Sequence, residues 1–306
     1  MQVTVPVART RYVIVHYHIF KNAGSTIEHI LEREFGERFA TVHGSDPDAT
    51  LDAEDLEEFL WQQPEIAAVS SHHLRYPKPV SRHAVYFDCC FLRDPVARLY
   101  SCYNHYRRGG VGSPYASWAQ SLSAREFALR LIDVSPHVVS DVQTTQLANG
   151  GAFTRPADAR DLERASAALR KMAIPGLVEL FDESLVLAEY FLRPAFPELR
   201  LEYVPQNMGP SGRRAQPESR EFWQGLWGED LHGLLERMNE MDLELVRRAK
   251  REVLRRFERI PRADEKLADL RARCARLALG TQETAPRAFA AAADQGGGNS
   301  HARDYA

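Results

Sequence analysis

Two segments of the chain concentrate side chains that bind phosphate. The first contains a lysine, a glycine and two hydroxyl residues in the run Lys21, Asn22, Ala23, Gly24, Ser25 and Thr26. The second begins at Arg93 and reaches Ser101. A guanidinium can hold a phosphate through two parallel hydrogen bonds, and a hydroxyl can add a further donor. Both segments are therefore candidate anion-binding sites.

Each segment follows a predicted strand and begins a predicted helix. Residues 12–19 and 84–92 are apolar runs rich in β-branched and aromatic side chains, which is typical of buried strands. In the second segment, Asp94 suits the N-cap of the predicted helix, and Pro95 suits the first position of that helix. Backbone N–H groups and the helix dipole converge at such a strand-to-helix loop, so the loop itself favours an anion.

Strand and helix patterns alternate along much of the chain. Helical spacing at residues 52–62 precedes a short apolar run at 66–69, and another buried strand is predicted at 175–181. This order predicts an α/β fold, a P-loop-like three-layer α/β/α arrangement around a central, mainly parallel sheet, with a helical C-terminal region. Gly, Ser and Pro residues predict loops at 109–117 and 205–219.

The domain organisation follows from where these patterns end. We expect residues 1–260 to form the α/β domain together with its C-terminal packing helices, and residues 261–279 to form a terminal helix. The alanine and glycine runs in residues 280–306 predict a disordered tail.

Composition excludes several classes of protein. The 306 residues include 39 Lys and Arg against 42 Asp and Glu, a net charge of −3, so no global positive field favours nucleic acid or an anionic membrane. Four cysteines are too few for a disulfide framework and favour a reducing compartment. No apolar run suits a secretion signal or a membrane span, which predicts a cytoplasmic protein.

The position of the lysine separates two kinds of phosphate loop. In a Walker A loop the lysine directly follows the last glycine, whereas Lys21 precedes Gly24. This order disfavours a kinase or ATPase loop. By itself the segment is equally compatible with a plain strand-to-helix turn.

Together the two segments resemble the nucleotide-binding motifs of the sulfotransferase superfamily. Residues 18–26 resemble the loop that binds the 5′-phosphosulfate of 3′-phosphoadenosine-5′-phosphosulfate, and residues 91–106 resemble the 3′-phosphate motif. A weaker similarity at 143–148, 176–185 and 239–245 points to the carbohydrate-sulfotransferase-like branch, the family 2 type, so the resemblance covers roughly residues 10–257. This branch usually has Pro in place of Phe20, and Thr or Ser in place of Asn22.

The resemblance implies a sulfotransferase that uses this donor, releases adenosine 3′,5′-bisphosphate and needs no metal. Its acceptor would be a hydroxyl group of a carbohydrate or a related alcohol. Lys21 would be catalytic by neutralising the bridging oxygen, while Arg93 and Ser101 would hold the 3′-phosphate. The donor-binding residues that the resemblance implies are Lys21, Asn22, Ala23, Gly24, Ser25, Thr26, Arg93 and Ser101.

A general base should have a pKa near neutrality and lie at the end of a neighbouring strand. His72 and His73 follow the predicted strand at 66–69, and adjacent side chains of an extended segment point to opposite sides. In the resembling branch a histidine often precedes an aromatic residue by about three positions. With Tyr76 as that aromatic, His73 is favoured and His72 is the alternative.

Two other functions remain open at this point. One is a P-loop-like nucleotide-dependent kinase of a small alcohol, and the other is a non-catalytic module that binds a nucleotide or a carbohydrate. We expect no nucleic acid or membrane as a partner. In lacking a membrane anchor, the sequence resembles the bacterial members of the superfamily. The identity of the acceptor and the oligomeric state do not follow from the sequence.

Overall fold

The computed structural model describes residues 10–46, 49–109, 113–148, 150, 155–204 and 219–284. These residues contain five strands, all parallel, in the order β2-β3-β1-β4-β5. The strands are β1 (Arg11–Tyr17), β2 (Phe39–Thr41), β3 (Ala68–Ser71), β4 (Ala84–Leu92) and β5 (Ile174–Leu177). Helices flank this sheet, so the predicted α/β fold with a parallel central sheet is confirmed.

The helices that the described residues form carry the labels α1 to α12 in chain order. They are α1 (Gly24–Phe35), α2 (Ala53–Gln62), α3 (Pro95–Gly109), α4 (Pro114–Ser121), α5 (Ala124–Val134), α6 (Val142–Ala148), α7 (Ala159–Lys171), α8 (Phe181–Leu192), α9 (Arg220–Trp227), α10 (Glu229–Met238), α11 (Glu240–Phe257) and α12 (Ala263–Thr284).

Side chains of β1 alternate between two hydrophobic cores. Ile14 packs in one core with Ile27 and Ile30 of α1, a core that α8 and α12 also enter. Val13 and Val15 pack in the other, to which α2, α7 and α11 contribute. Because successive residues of a strand face opposite sides, each core lies on one face of the sheet. Helices therefore cover both faces, which gives three layers.

β1 lies in the middle of the sheet and pairs with β3 and β4. Tyr17, its last residue, is in register with Ser71 on one side and with Cys90 on the other. Parallel strands present their carboxyl ends at one edge, so the segments after β1, β3 and β4 emerge there together. This edge collects the loop at Lys21, the two histidines and Arg93.

A third core lies among helices α3, α4, α5, α9 and α10, and it is rich in aromatic side chains such as Tyr103, Phe127 and Trp227. The loop predicted at residues 109–117 is only partly correct. Pro114–Ser121 forms α4, which Ser113 caps by accepting a hydrogen bond from Tyr115 N, while residues 110–112 lie outside the described residues. Pro at the first position and Ser at the cap favour this helix start.

The remaining boundaries differ from expectation by a few residues. β5 ends at Leu177, and a 3-10 turn at Val178–Leu180 leads into α8. The short edge strand β2 was not predicted. The predicted terminal helix extends to Thr284 as α12; the rest of the predicted tail, 285–306, and residues 205–218 of the predicted loop lie outside the described residues. None of the helices in the described part combines the length and apolarity needed to cross a bilayer.

Candidate active site

The loop after β1 uses a left-handed backbone at two positions. Lys21 has φ 64° and Ala23 has φ 62°, values that residues other than glycine adopt rarely. This geometry ends the strand and begins α1 at Gly24 within a few residues. The first-turn N–H groups of a helix have no acceptor inside it, so those of Gly24 and Ser25 are suited to an anion at the mouth of the loop. Backbone strain of this kind is common at functional sites.

Gly24 is required where it stands because the His18 ring packs against it. A Cβ atom at Gly24 would lie only 1.8 Å from His18 Nε2. Any larger residue would push the ring or the start of α1 out of place. The first residue of the helix and the end of β1 are thus fitted to each other.

The two predicted phosphate-binding segments meet directly. Arg93 Nη1 donates a hydrogen bond to the backbone oxygen of Lys21, with an N–O distance of 3.0 Å. Burial lowers the pKa of the Arg93 guanidinium, and nearby Glu179 opposes that effect. The Lys21 ammonium lies 5.6 Å from the centre of the Phe20 ring. The Arg93 side chain therefore contacts the backbone of the loop that contains Lys21.

Gln143 of α6 forms hydrogen bonds to both of these segments. Its Oε1 accepts hydrogen bonds from Asn22 Nδ2 (2.8 Å) and from the backbone nitrogen of Arg93 (2.9 Å). Its Nε2 donates to the backbone oxygen of Arg93 (2.8 Å) and to Asp242 Oδ2 (3.2 Å). We call Asn22, Arg93, Gln143 and Asp242 the glutamine network. Because every polar atom of the Gln143 side chain is used, the positions of both loops depend on it.

Asp242 at the start of α11 anchors the glutamine network. Its carboxylate accepts hydrogen bonds from the backbone nitrogens of Gln143 (3.1 Å) and Thr144 (2.7 Å), while its own backbone nitrogen donates to Asp141 Oδ1 (2.9 Å). Burial, with the charge of Asp242 as a second cause, raises the pKa of Asp141 to about 7. The weakly similar segments at 143–148 and 239–245 thus come together in space.

The third weakly similar segment supports the second loop. Glu179 Oε1 accepts a hydrogen bond from the backbone nitrogen of Asp94 (2.9 Å), and Asp94 Oδ1 accepts one from Ala97 N (2.9 Å). Burial raises the pKa of the Glu179 carboxyl. The predicted cap of α3 is present, and Glu179 fixes the residue that provides it.

Asn22 does not fit the role of a donor-binding side chain. It is buried, and its Nδ2 donates to Phe91 O (2.9 Å) as well as to Gln143. Its backbone N–H donates to Ile19 O (3.1 Å), so that group is also used inside the protein. Asn22 links the two loops, and the hydroxyl that the resembling branch has at this position is absent.

A cluster of polar side chains lies between β1, β3 and α1. We call it the histidine cluster; its members are His16, His18, Glu28, Ser70 and His72. Ser70 Oγ donates to Glu28 Oε1 (2.8 Å), so it accepts from His16 Nδ1 (2.9 Å), and His18 Nδ1 donates to the same Glu28 oxygen (2.8 Å). Ligand atoms of His16, His18 and Glu28 lie within 4.8 Å of one another, a cluster that sequence spacing did not predict.

The charges of the histidine cluster follow from these bonds. Burial favours a neutral Glu28, but hydrogen bonds from His18 and Ser70 outweigh it and lower its pKa to about 2. Burial, followed by the charge of His18, lowers the pKa of His16 to about 3. A carboxylate therefore faces imidazole N–H donors at neutral pH.

His72 lies beside the loop after β1. Its Nδ1 donates to the backbone oxygen of His18 (2.9 Å), and the two imidazole rings lie 3.7 Å apart. Burial, followed by the charge of His18, lowers the pKa of His72 to about 3. The hydrogen bond places the ring proton on Nδ1, which leaves a lone pair on Nε2. This is the tautomer that a base acting through Nε2 needs.

His73 points to the other side of the chain. It is 3% exposed, its Nδ1 accepts a hydrogen bond from Gly44 N (2.7 Å), and its ring lies 5.8 Å from that of His43. The Nδ1 lone pair is used, so a neutral His73 carries its proton on Nε2. The geometry favours His72 over the predicted His73 as the base, because His73 is buried in the wrong tautomer.

Several residues that build the site had no role predicted from sequence. Gln143 and Asp242 lie in segments whose similarity was noted, but nothing in the sequence connects one to the other. Glu28 lies within α1, where its spacing from His18 is not a recognisable motif. These residues act through contacts between distant segments, so only the fold reveals them.

Comparison with known proteins finds one matching family and a relative of similar length. Residues 7–121 match the sequence profile of the Sulfotransferase family, a range that includes both predicted phosphate-binding segments and both candidate histidines. This match confirms the predicted resemblance to the sulfotransferase superfamily and to its family 2 branch. A protein of Archaeoglobus fulgidus that is described as uncharacterized is 28% identical over 242 residues, covering 77% of this chain and 94% of that protein.

Proposed function

We propose that the protein transfers a sulfuryl group from 3′-phosphoadenosine-5′-phosphosulfate to a hydroxyl group of a carbohydrate or a related alcohol. The observation that carries this proposal is the hydrogen bond from Arg93 Nη1 to Lys21 O, which unites the two phosphate-binding segments. Both lie inside the range that matches the Sulfotransferase family. One anion site alone would fit many proteins, whereas two adjacent sites fit a donor with two phosphates.

The donor would bind across the carboxyl ends of β1 and β4. Lys21, Ser25 and Thr26, with the backbone of Ala23 and Gly24, would hold the 5′-phosphosulfate. Arg93 and Ser101 would hold the 3′-phosphate. The glutamine network holds the backbone of Arg93 and Lys21 O holds its guanidinium, so little ordering of this residue would be left for the binding step.

His72 would act as the general base. Its Nε2 would take the proton of the acceptor hydroxyl while the acceptor oxygen forms a bond to sulfur. The bond between sulfur and the bridging oxygen of the 5′-phosphate would break, and adenosine 3′,5′-bisphosphate would leave. Lys21 would neutralise the charge that develops on that bridging oxygen, a form of electrostatic stabilisation. The sulfate ester and the bisphosphate account for all atoms, and the proton rests on His72.

The electrostatics of the site suit this role. The depressed pKa of His72 keeps its imidazole neutral, as a base must be before reaction. A donor with several negative charges would raise that pKa when it binds, because a nearby negative charge favours the imidazolium. Proton affinity at Nε2 would therefore increase when the donor is in place.

A binding and transfer experiment tests the proposal. We expect adenosine 3′,5′-bisphosphate to raise the melting temperature of the protein more than ATP with magnesium does. Labelled sulfate should then pass from the donor to at least one member of a panel of saccharides, phenols and other alcohols. Lys21→Ala should abolish transfer while the far-ultraviolet circular dichroism stays unchanged.

Two results would favour the other functions. Stronger stabilisation by ATP with magnesium would point to a kinase. Tight binding of the bisphosphate with no transfer to any acceptor would point to a non-catalytic module. An absence of any shift with saturating bisphosphate, in a folded protein, would reject the donor site.

A further inference from the structure

Three members of the histidine cluster can coordinate a cation, and they converge on one point. His16 of β1 and His18, which follows the strand, are two positions apart, and their rings stack with centres 5.3 Å apart on one face of the sheet. Glu28 of α1 lies against them, and one ligand atom from each of the three side chains lies within 4.8 Å of the other two. Among the residues that the structure describes, no other three side chains of His, Cys, Asp or Glu meet in this way.

The spacing of these atoms is close to that of a metal site. Bonds of about 2.1 Å around a tetrahedral ion place its ligand atoms roughly 3.4 Å apart. His18 Nδ1 and Glu28 Oε1 are 2.8 Å apart, and Ser70 Oγ bridges His16 Nδ1 and Glu28 Oε1 with distances of 2.9 and 2.8 Å. Side-chain movements of about 1 Å would therefore bring all three groups to bonding distance of one ion.

The hydrogen bonds of the histidine cluster show what an ion would replace. Glu28 Oε1 accepts from both His18 and Ser70, and among the described residues no Lys or Arg forms an ion pair with this carboxylate. A cation at this point would take the place of the protons that bridge the cluster. Each imidazole coordinates through a lone pair, so the proton on that nitrogen leaves or moves to the other ring nitrogen.

Rigid elements hold the three side chains, and one side of the cluster reaches solvent. His16 is in register with Ser70 of β3 and with Cys89 of β4, so it lies in the middle of the sheet. His16 is 1% exposed and His18 is 6% exposed, whereas the Glu28 side chain is 25% exposed. An ion could therefore enter beside Glu28 and keep water in a fourth position. Ser70 would orient the carboxylate, as partners of metal ligands commonly do.

The chemistry of the donor atoms selects the kind of ion. Imidazole nitrogens suit Zn²⁺ and other late transition metals, whereas Mg²⁺ and Ca²⁺ prefer oxygen ligands. Two histidines and one carboxylate with an open fourth position form a set that zinc uses in proteins.

We propose that His16, His18 and Glu28 bind one divalent transition-metal ion of the zinc type. None of the three is the proposed base or a proposed donor-binding residue, and the transfer described above does not require the ion. The inference therefore goes beyond the proposed function and does not depend on it.

The experiment measures metal binding to the full chain in the absence of donor and acceptor. Metal ions are first removed with EDTA, and the protein is then titrated with Zn²⁺, Co²⁺ or Mg²⁺ by isothermal titration calorimetry. We expect one Zn²⁺ per chain, a melting temperature that rises with the zinc concentration, and no measurable binding of Mg²⁺. Co²⁺ should give the intense visible absorption of a tetrahedral complex.

Variants assign the ion to these side chains. Glu28→Gln keeps the size of the side chain but not its charge, and His16→Gln removes one imidazole. Each should weaken Zn²⁺ binding by more than the roughly 10- to 100-fold that is typical for the loss of an outer partner. Ser70→Ala removes such a partner and should weaken binding by about 10-fold. His29→Ala, which removes an exposed histidine next to Glu28, is the matched control and should bind Zn²⁺ as the wild type does.

The outcomes separate this inference from the proposed function. A wild-type protein that binds no Zn²⁺, or unchanged affinity in a folded Glu28→Gln or His16→Gln variant, would overturn the inference. A loss in His29→Ala as large as that in Glu28→Gln would place the ion on the surface of α1 and also overturn it. If circular dichroism shows that His16→Gln does not fold, Glu28→Gln decides, because its side chain is partly exposed and nearly isosteric. Failure to bind the bisphosphate would reject the proposed function alone.

Discussion

The histidine cluster and the glutamine network solve the same positioning problem with different chemistry. Each ties the end of a central strand to an element distant in sequence: Ser70 and Glu28 connect β3 to α1, and Gln143 connects the loops after β1 and β4. The first contains His16 and His72, whose pKa values burial lowers. The second places the Gln143 amide against the backbone of Arg93.

This difference shows how one sheet edge can hold two kinds of group. The proposed base must be able to change its charge, and His72 is held by a backbone oxygen and by the face of His18 rather than by a full ion pair. The proposed phosphate-binding residue must keep its charge and its position, and the backbone of Arg93 is held on both sides by one glutamine. Four tests probe this contrast.

The largest effect should come from the base. We expect His72→Ala to lower turnover by about 100- to 10,000-fold, the usual contribution of a general base, with bisphosphate affinity nearly unchanged. His73→Ala should reduce stability instead, because it leaves Gly44 N without its acceptor. Steady-state rates and thermal melts of both variants measure this. Normal turnover in His72→Ala with a folded, inactive His73→Ala would restore the original sequence prediction.

The fit between Gly24 and His18 should give the next largest effect. Gly24→Ala places a Cβ atom against the His18 ring, so we expect a loss of about 1–3 kcal/mol in unfolding free energy and weaker bisphosphate binding. Replacing the ring as well, in Gly24→Ala/His18→Ala, should recover bisphosphate binding because the clash is gone. Chemical denaturation and titration calorimetry give both quantities. Equal binding defects in the single and the double variant would contradict this explanation.

The glutamine network should affect donor binding rather than the chemical step. In Gln143→Ala the buried groups of Asn22, Arg93 and Asp242 lose a shared partner, which should cost about 1–3 kcal/mol of stability. The Michaelis constant for the donor should rise, while the pH dependence of turnover stays that of the wild type. Gln146→Ala, on the same helix, is the control for the loss of a glutamine side chain. A shifted pH profile in Gln143→Ala would show that the two regions are coupled.

The smallest effect concerns Asp141, whose folded pKa of about 7 exceeds its ordinary value of 3.8. The folded protein binds this proton more tightly than the unfolded chain, so the stabilisation is complete below about pH 4 and is lost as the pH rises through 7. Asp141→Asn keeps an oxygen acceptor for Asp242 N and tolerates the left-handed φ of 46°. Its melting temperature should gain on that of the wild type by several degrees as the pH rises from 4 to 8. A constant difference over that interval would contradict the assigned pKa.

Much of the fold was predictable because its elements have strong local signals. β4 was predicted with its observed bounds, since residues 84–92 form an uninterrupted apolar run between polar segments. The start of α3 followed from Asp94 and Pro95, whose side chains act within one turn. β2 was missed because three residues are too few to show a period, and α4 was missed because its residues are typical of loops.

The candidate site was predictable only in part, because local signals in the sequence reveal its loops but not the contacts between distant segments. The sequence by itself determined the two loops: a lysine before a glycine and an arginine after a strand predict anion sites through local backbone geometry and charge. Only the tertiary structure decided which side chains contact these loops and hold them in place. Asn22 turns inward because Gln143, 121 residues away, offers it an acceptor. The choice between His72 and His73 depends on which ring meets Gly44 and which meets His18. The sequence could not supply these partners, because the groups that a buried polar side chain meets are a property of the fold and not of the chain.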